Sequence, residues 1–326
     1  MKDQGVAAKV WAQYFPADTP VFEYLSGGMV NASYKVTSEK GVFILQKLSP
    51  IFSGEGLECD FDTVTKYLKK NGWDVPTLAA NKNGKFSTKT GNGDTWRVMT
   101  FIESDGKIPK NVNSEAGKLL GKLHSTLAGL DYKPKFALPH FHETSYYARQ
   151  LREKLSKLDE NNQEFGQKAL KTYDNAAPLE TGKIQLIHGD PRTANMLFRG
   201  GKPFTFIDFD TIMVGSIWLD VGDLLRSLAE DAMNNGQTFN LAQVYEVADA
   251  YRTAACHEED ETLFRQSAVK AMQRISLELT MRFLIDVVDD NYFDWDNKQY
   301  KSRKQHNTER AKQQWAIHRF VYNEGN

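Results

Sequence analysis

The sequence predicts an α+β protein of two lobes. Short strand-like runs separated by turns fill the first hundred residues, with one helical pattern among them. From Ser114 onward long helical patterns dominate, interrupted by two short strand-like runs. The length of 326 residues also exceeds what one small core usually supports. We therefore expect a small antiparallel-sheet lobe with one helix over residues 1–103 and a larger, mainly helical lobe over residues 104–326.

The first lobe divides into strands by its turn residues. A glycine-rich turn and the segment Ser38–Gly41 separate three strand patterns, and Gly91–Asp94 forms the turn of a further hairpin. Apolar residues at helical spacing before Asn71 and Gly72 indicate one helix. The predicted elements are strands at Val21–Leu25, Val30–Val36, Val42–Leu48, Lys85–Thr88 and Trp96–Ile102, and a helix at Gly56–Lys70.

The second lobe carries two short strand patterns, Ile184–Ile187 and Phe204–Phe209, among its helices. The closing stretch Asn297–Arg319 is rich in Lys, Arg and Gln and is typical of a solvated helix. No internal repeat interrupts either lobe.

Composition excludes several classes of protein. Lys and Arg number 41 against 42 Asp and Glu, so no global positive field favours nucleic acid or anionic lipid. The two cysteines, Cys59 and Cys256, have no metal-ligand spacing and indicate a reducing compartment. The N-terminus lacks a secretory pattern, and no apolar run is long enough for a membrane span. We expect a cytoplasmic protein without nucleic-acid or membrane partners.

The segment from Leu186 to Asp210 carries the strongest chemical signal. Asp190 and Asn195 are separated by four residues on a predicted loop, and Asp208 ends the next predicted strand. Phosphoryl transfer needs a base that orients the acceptor hydroxyl and a divalent cation that neutralises the nucleotide phosphates. Asp190 is suited to the first task, and Asn195 and Asp208 offer the oxygen ligands that Mg²⁺ prefers.

Each of these residues also has a structural interpretation. Gly-Asp-Pro at Asp190 is good turn chemistry without any catalysis, although the joint presence of Asn195 and Asp208 would then be coincidental. His188 is expected to orient the loop. If the strand continues past Asp208, Asp210 faces the same way and could touch metal or substrate, or simply be solvated.

The first lobe offers a candidate nucleotide site. The turn Ser26–Asn31, with Gly27, Gly28 and Asn31, would let backbone N–H groups approach phosphates, although a hairpin without a ligand has the same pattern. Lys47 shares a strand face with apolar residues, which favours an anionic partner there. Glu58 and Asp62 on the predicted helix are both candidates for that partner.

Two further segments have predicted roles: the link between the lobes, and the start of the helix that follows the second strand pattern. Phe101, Ile102 and Glu103 lie where backbone groups could bind an adenine edge. Asp220 precedes a long apolar pattern and is expected to cap that helix or to brace the catalytic loop.

Together these motifs resemble the aminoglycoside phosphotransferase and choline kinase superfamily, whose members share a protein-kinase-like fold. The signature is His188–Asp190, Asn195 and Ile207–Phe209. Over nearly the whole chain the sequence looks most like the N-acetylhexosamine 1-kinase branch. The matching pieces are Gly27–Asn31, Phe43–Lys47, Val64–Leu68, Ile207–Thr211, Arg282–Asp286, Tyr292–Phe293 and Arg310–Ala311.

The resemblance implies an ATP- and Mg²⁺-dependent kinase with Asp190 as base and Lys47 at the ATP phosphates. Arg192 stands where the hexosamine kinases carry a Lys that contacts the transferring phosphate. By the same resemblance, substrate-binding residues are Asp210, Arg282 and Tyr292. The expected acceptor is a sugar hydroxyl, in particular the anomeric 1-OH of an N-acetylhexosamine. The alternatives are an aminoglycoside or choline-like amino alcohol, and a non-catalytic nucleotide-binding protein of the same fold.

Overall fold

The computed structural model describes residues 4–25, 30–52, 54–106, 108–109, 111–177 and 182–320. The chain divides into two compact units. The first comprises residues 1–104 together with the short segments 134–138 and 207–212, and the second comprises the remainder. The sequence did not predict that residues 134–138 and 207–212 belong to the first unit.

The first unit is built on a five-stranded antiparallel sheet. The elements are helix α1 (Gln4–Tyr14), strands β1 (Val21–Leu25), β2 (Ala32–Ser38) and β3 (Gly41–Lys47), helix α2 (Leu57–Lys70), and strands β4 (Ser87–Lys89) and β5 (Thr95–Thr100). The strand order in the sheet is β1-β2-β3-β5-β4.

The two faces of this sheet pack against different helices. Leu45 and Trp96 belong to the face that packs on α1, where Trp11 is buried with them. Arg97 belongs to the opposite face, and its guanidinium lies 4.9 Å from the ring of Phe61 on α2. Each face is thus closed by one helix, and charged groups on the α2 face are removed from water.

The second unit is mainly helical. The elements are helices α3 (Asn113–Leu127), α4 (Thr144–Lys154) and α5 (Glu160–Asn175), strands β6 (Ile184–Ile187), β7 (Met196–Arg199), β8 (Lys202–Phe206) and β9 (Met213–Ser216), and helices α6 (Ile217–Asn234), α7 (Leu241–Ala254), α8 (Glu261–Asp289) and α9 (Arg303–Arg319). The strands pair as two antiparallel ribbons, β6 with β9 and β7 with β8.

Helix α8 is the central element of the second unit. Its face with Leu277, Met281 and Leu284 is buried against α4, α5 and α9. Helices α3 and α7 approach so closely that a Cβ on Gly117 would lie 2.3 Å from the carbonyl oxygen of Val247. Small residues are therefore required where these helices meet.

The structure confirms the α+β class and corrects one strand in particular. The predicted strand Phe204–Phe209 ends at Phe206, and a 3₁₀ turn at Phe209–Thr211 follows it. Helix α1 and strands β7 and β9 were not predicted, because each is short or weakly patterned. Within the described ranges, no helix combines the length and apolar character needed to cross a bilayer.

Candidate active site

The loop after β6 is held in place by one carboxylate of α6. The N–H groups of His188 and Gly189 donate to Asp220 Oδ2 and Oδ1, each at 2.8 Å. Asp220 also accepts from His124 Nε2 at 2.8 Å. The N-terminus of α6 is capped by Ser216 and not by Asp220. Gly189 has φ +87°, a left-handed conformation that glycine adopts without steric penalty. Of the two roles expected for Asp220, the structure therefore confirms that it braces the loop.

Asp190 and Asn195 meet at the end of this loop. Asn195 Nδ2 donates to the Asp190 carbonyl oxygen at 2.8 Å and to Asp190 Oδ2 at 3.0 Å. Because both neighbours are acceptors, the amide nitrogen must face them, and Oδ1 is turned away. An amide oxygen held in this way suits a hard cation. His188 Nδ1 accepts the Asp190 N–H at 3.3 Å, which agrees with its predicted orienting role.

The environment of Asp190 favours its protonated form relative to water. Burial raises the pKa of Asp190 above its ordinary value, the positive charge of Arg192 opposes this, and Asp223 adds to it. Arg192 Nε lies 3.6 Å from Asp190 Oδ2. About 30% of the Asp190 side chain remains exposed, so a hydroxyl can reach it. A carboxylate with a raised pKa and an accessible oxygen has the properties of a general base.

Asp208 and Asp210 lie in the first unit and do not share a strand face. Asp208 has φ +67°, and the 3₁₀ turn begins after it. The strand therefore does not continue to Asp210, which was the condition for the two side chains to point the same way. Asp210 is buried, and its two oxygens accept from Arg97 Nη1 and Nη2 at 2.7 and 2.6 Å. Gln46 Oε1 accepts from the same guanidinium. Asp210 is thus buried and paired with Arg97, and its expected contact with substrate stays a prediction.

The predicted nucleotide-binding residues of the first unit are only partly described. Gly27 and Gly28 lie outside the described residues, whereas Asn31 Oδ1 accepts from the N–H of Ser49 at 2.8 Å. The segment with Phe101, Ile102 and Glu103 follows β5 without regular structure, and the N–H of Phe101 donates to Val42.

Lys47 has a carboxylate partner that the sequence did not predict. Its Nζ lies 2.8 Å from Asp94 Oδ2, in the turn before β5. Lys47 pairs with Trp96 across the sheet and so belongs to the face of α1, whereas α2 packs on the other face. Asp62 on α2 pairs with Lys66, and Glu58 is half-buried in the first turn of that helix.

Arg282 and Tyr292 are brought together in the second unit. Arg282 Nη2 donates to Tyr292 Oη at 3.2 Å. The guanidinium carbon lies 5.0–5.7 Å from the centres of four aromatic rings, those of Phe141, Tyr147, Tyr292 and Phe293. We call this group the arginine cage. Burial would lower the pKa of Arg282, but Tyr147, Tyr292, Glu278 and Asp190 outweigh that effect and raise the pKa above its ordinary value.

Sequence reasoning missed two buried side chains, Arg97 beside Asp210 in the first unit and His142 beside the loop with Asp190 in the second. Arg97 lies within an apolar strand pattern, and His142 lies in an irregular segment, so neither belongs to a motif. A charged residue at a core position of β5 was the available signal for Arg97, since arginine is seldom buried without a partner. For His142 the sequence offered no signal.

Residues 21–263 match the model of the phosphotransferase enzyme family. Solved structures with similar folds include amicoumacin kinase hAmiN in complex with AMP-PNP, Ca²⁺ and Ami. It is 15% identical, with a TM-score of 0.64 over 97% of this chain and 93% of that one. Ethanolamine kinase of Plasmodium vivax is 14% identical, with a TM-score of 0.62 over 92% of this chain and 83% of that one. Choline kinase of Cryptosporidium parvum is 11% identical, with a TM-score of 0.62 over 98% and 96%.

The match covers the loop with Asp190 and Asn195 as well as the sheet of the first unit. The similar solved structures extend over both units and share the kinase-like arrangement of a small antiparallel sheet and a helical lobe. The chain therefore belongs to the phosphotransferase enzyme family and is a small-molecule kinase.

Proposed function

We propose that this kinase transfers a phosphoryl group from Mg·ATP to a hydroxyl of a sugar, with an N-acetylhexosamine 1-OH as the leading acceptor. The observation that carries the proposal is the pair formed by Asp190 and Asn195. One side chain has an accessible carboxylate oxygen, and the other has its amide oxygen oriented away from that carboxylate. A base and a metal ligand are thus supplied by one loop.

The metal and nucleotide sites are part of the same proposal. We assign Asn195 and Asp208 to Mg²⁺, which typically keeps several waters and takes only one or two protein ligands besides the substrate phosphates. We assign Gly27, Gly28, Asn31 and Lys47 to the phosphate end of ATP and the segment 101–103 to the adenine end. Glu58 was expected to pair with Lys47, and it belongs to the helix on the opposite face of the sheet. Arg192, beside Asp190, is assigned to the transferring phosphate. When bound, the metal would neutralise the charge on the nucleotide phosphates.

The arginine cage supports a neutral or anionic acceptor over a cationic one. Its aromatic faces already surround a cation of the protein itself, and a second cation there would meet like charge. A guanidinium has five donors and no acceptor, so it matches hydroxyl, acetamido or carboxylate oxygens. An ammonium group finds no acceptor on Arg282.

Three acidic residues at the end of α8 already have partners within the protein, which favours a sugar acceptor over an amino alcohol. Asp286 is buried and accepts from the N–H groups of Asn291, Tyr292 and Phe293 and from Asn307. Further along the chain, Asp289 pairs with Lys154 and Asp290 with Arg303. Each of these three carboxylates thus has a partner within the protein.

An acceptor screen tests the proposal. Coupled ADP release, with product detection by ³¹P NMR, is measured for N-acetylglucosamine, N-acetylgalactosamine, glucose and galactose against kanamycin, choline and ethanolamine. We expect turnover with the neutral sugars. Turnover with cationic acceptors alone would refute the sugar assignment, and ATP binding without any product would indicate the non-catalytic alternative.

Two substitutions test the assigned roles. Asp190→Asn should lower kcat by about 10²- to 10⁴-fold, the usual contribution of general base catalysis, while calorimetry shows nucleotide binding retained. Arg282→Met should lower kcat/KM for the sugar and leave the KM for ATP unchanged. Arg149→Met is the matched control, because Arg149 also lies over a tyrosine ring, that of Tyr146. Equal effects at positions 282 and 149 would remove Arg282 from the acceptor site.

A further inference from the structure

The segment before α4 has an unusual backbone. His140 and His142 both adopt left-handed conformations, with φ +58° and +59°. Non-glycine residues rarely do so, and such strain persists only where surrounding contacts hold it. The result is that Phe141 and His142 both turn inward, the first toward Arg282 and the second toward the catalytic loop.

His142 connects that loop to α8. Its Nε2 lies 2.7 Å from the carbonyl oxygen of Gly189, the residue before Asp190. Its Nδ1 lies 3.6 Å from Glu278 Oε1, which is too long for a hydrogen bond but close enough for an ion pair. Only 5% of the His142 side chain is exposed. Because a carbonyl oxygen can only accept, Nε2 must be the donor in the first contact.

The charges around His142 favour the imidazolium. Burial alone would lower the pKa of His142, but Glu278 and the Gly189 carbonyl, with Asp223 of α6, raise it above the ordinary value. The other charged groups near this network are Arg282, which lies 3.8 Å from Glu278, and Asp190. In the imidazolium both ring nitrogens carry protons, and each faces an oxygen.

Glu278 is itself held in place. Thr144 Oγ1 donates to Glu278 Oε2 at 2.7 Å, so α4 and α8 are joined at this carboxylate. The pKa of Glu278 lies below its ordinary value: burial would raise it, and His142 and Arg282 outweigh that effect. Glu278 is one helical turn from Arg282, so a single buried chain of contacts leads from the arginine cage through His142 to the catalytic loop.

We propose that His142 is a positioning residue for phosphoryl transfer, which holds the Gly189 carbonyl, and with it the Asp190 carboxylate, at a fixed distance from α8. The inference rests on the proposed role of Asp190 as base. His142 does not touch the reacting atoms. Its effect on turnover arises because displacing a reacting group by about 1 Å can lower the rate by about 100-fold.

Two substitutions separate the contacts of His142. The amide of Gln reaches as far as Nε2 and can still donate to Gly189, whereas the amide of Asn reaches only the position of Nδ1. His140 supplies matched controls, because it has the same backbone conformation and an exposed side chain that bonds to Glu143. Comparing His142→Asn with His140→Asn, and His142→Gln with His140→Gln, cancels the backbone cost of each substitution.

We expect His142→Asn to lower kcat by roughly 10- to 100-fold while the KM for ATP changes by less than about threefold. His142→Gln should recover most of the lost kcat. If His142→Asn matches His140→Asn in kcat, or if Gln and Asn at position 142 lose equal activity in step with their melting temperatures, the positioning role is refuted.

A second readout does not depend on activity. Hydrogen exchange of the amides at 188–190, followed by mass spectrometry, should be at least about tenfold faster in His142→Asn than in His140→Asn, because the loop loses an anchor. Unchanged exchange there would overturn the proposal even in an active enzyme. A wild-type protein without phosphotransfer would instead refute the proposed function, and the exchange result would still decide the role of His142.

Discussion

Asp220 offers the sharpest test of how the second unit supports the loop that carries Asp190. Its two oxygens accept three hydrogen bonds, from the N–H groups of His188 and Gly189 and from His124 Nε2. Asn at this position keeps the shape of the side chain but has one acceptor oxygen and an NH₂ group. In either orientation of the amide, at least one of the three donors would face another donor.

The size of the effect follows from burial. Both Asp220 and His124 are almost fully buried, at 0% and 1% exposure of their side chains. One buried donor left without an acceptor costs about 1–3 kcal/mol. Each hydrogen bond to a charged group contributes about 1.5–3 kcal/mol, and the carboxylate of Asp220 accepts three of them. These contributions overlap, so we expect Asp220→Asn to lower the free energy of unfolding of the second unit by about 3–5 kcal/mol.

Urea unfolding followed by circular dichroism and tryptophan fluorescence measures this loss. Trp218, two residues before Asp220 and buried, reports on the same helix. The control is Asp174→Asn, which removes an exposed ion pair with Arg152 and should change stability by less than about 1 kcal/mol. If the two variants unfold within 1 kcal/mol of each other, the bracing role assigned to Asp220 is incorrect.

Three further outcomes follow from the same contacts. Burial would raise the pKa of Asp220, but His124 and the backbone donors hold that pKa below its ordinary value. The stability that Asp220 contributes should therefore be complete above about pH 4 and be lost at lower pH, as the pH passes the pKa of the folded state. Unfolding of the wild type and of Asp220→Asn over a pH series measures this loss. Arg97→Met leaves Asp210 as a buried charge and should destabilise the first unit by about 3–5 kcal/mol in urea unfolding, whereas adding Asp210→Leu should restore part of that loss. Gly117→Ala, whose Cβ would meet a backbone oxygen at 2.3 Å, should lower the melting temperature, whereas Gly5→Ala, with nothing within 4 Å, should not.

Local patterns were sufficient for the strands of the first unit, for α2 and for β6. The strands Val21–Leu25 and Ile184–Ile187 were predicted with the bounds that the structure has, because turn residues delimit them on both sides. The spacing of Asp190 and Asn195 predicted that the two side chains belong to one loop, and the structure brings them together. Such features depend only on neighbours in the chain.

The strand after β7 shows where that reasoning failed. Phe204–Phe209 alternates like a strand, yet the structure ends β8 at Phe206 and places Asp208 in a left-handed conformation. Asp210 then pairs with Arg97, more than one hundred residues away in the chain. Its partner is a tertiary contact, and no local pattern indicates it.

The sequence by itself determined the fold class, the phosphotransfer chemistry and the loop with Asp190 and Asn195, since periodicity and short motifs are local properties of a chain. Only the tertiary structure decided which buried groups hold those residues. The bonds of Asp220 to the loop, of His142 to Gly189 and of Arg97 to Asp210 join segments that lie 31 to 113 positions apart in the chain. A buried polar group must find its partner wherever the packed core brings one.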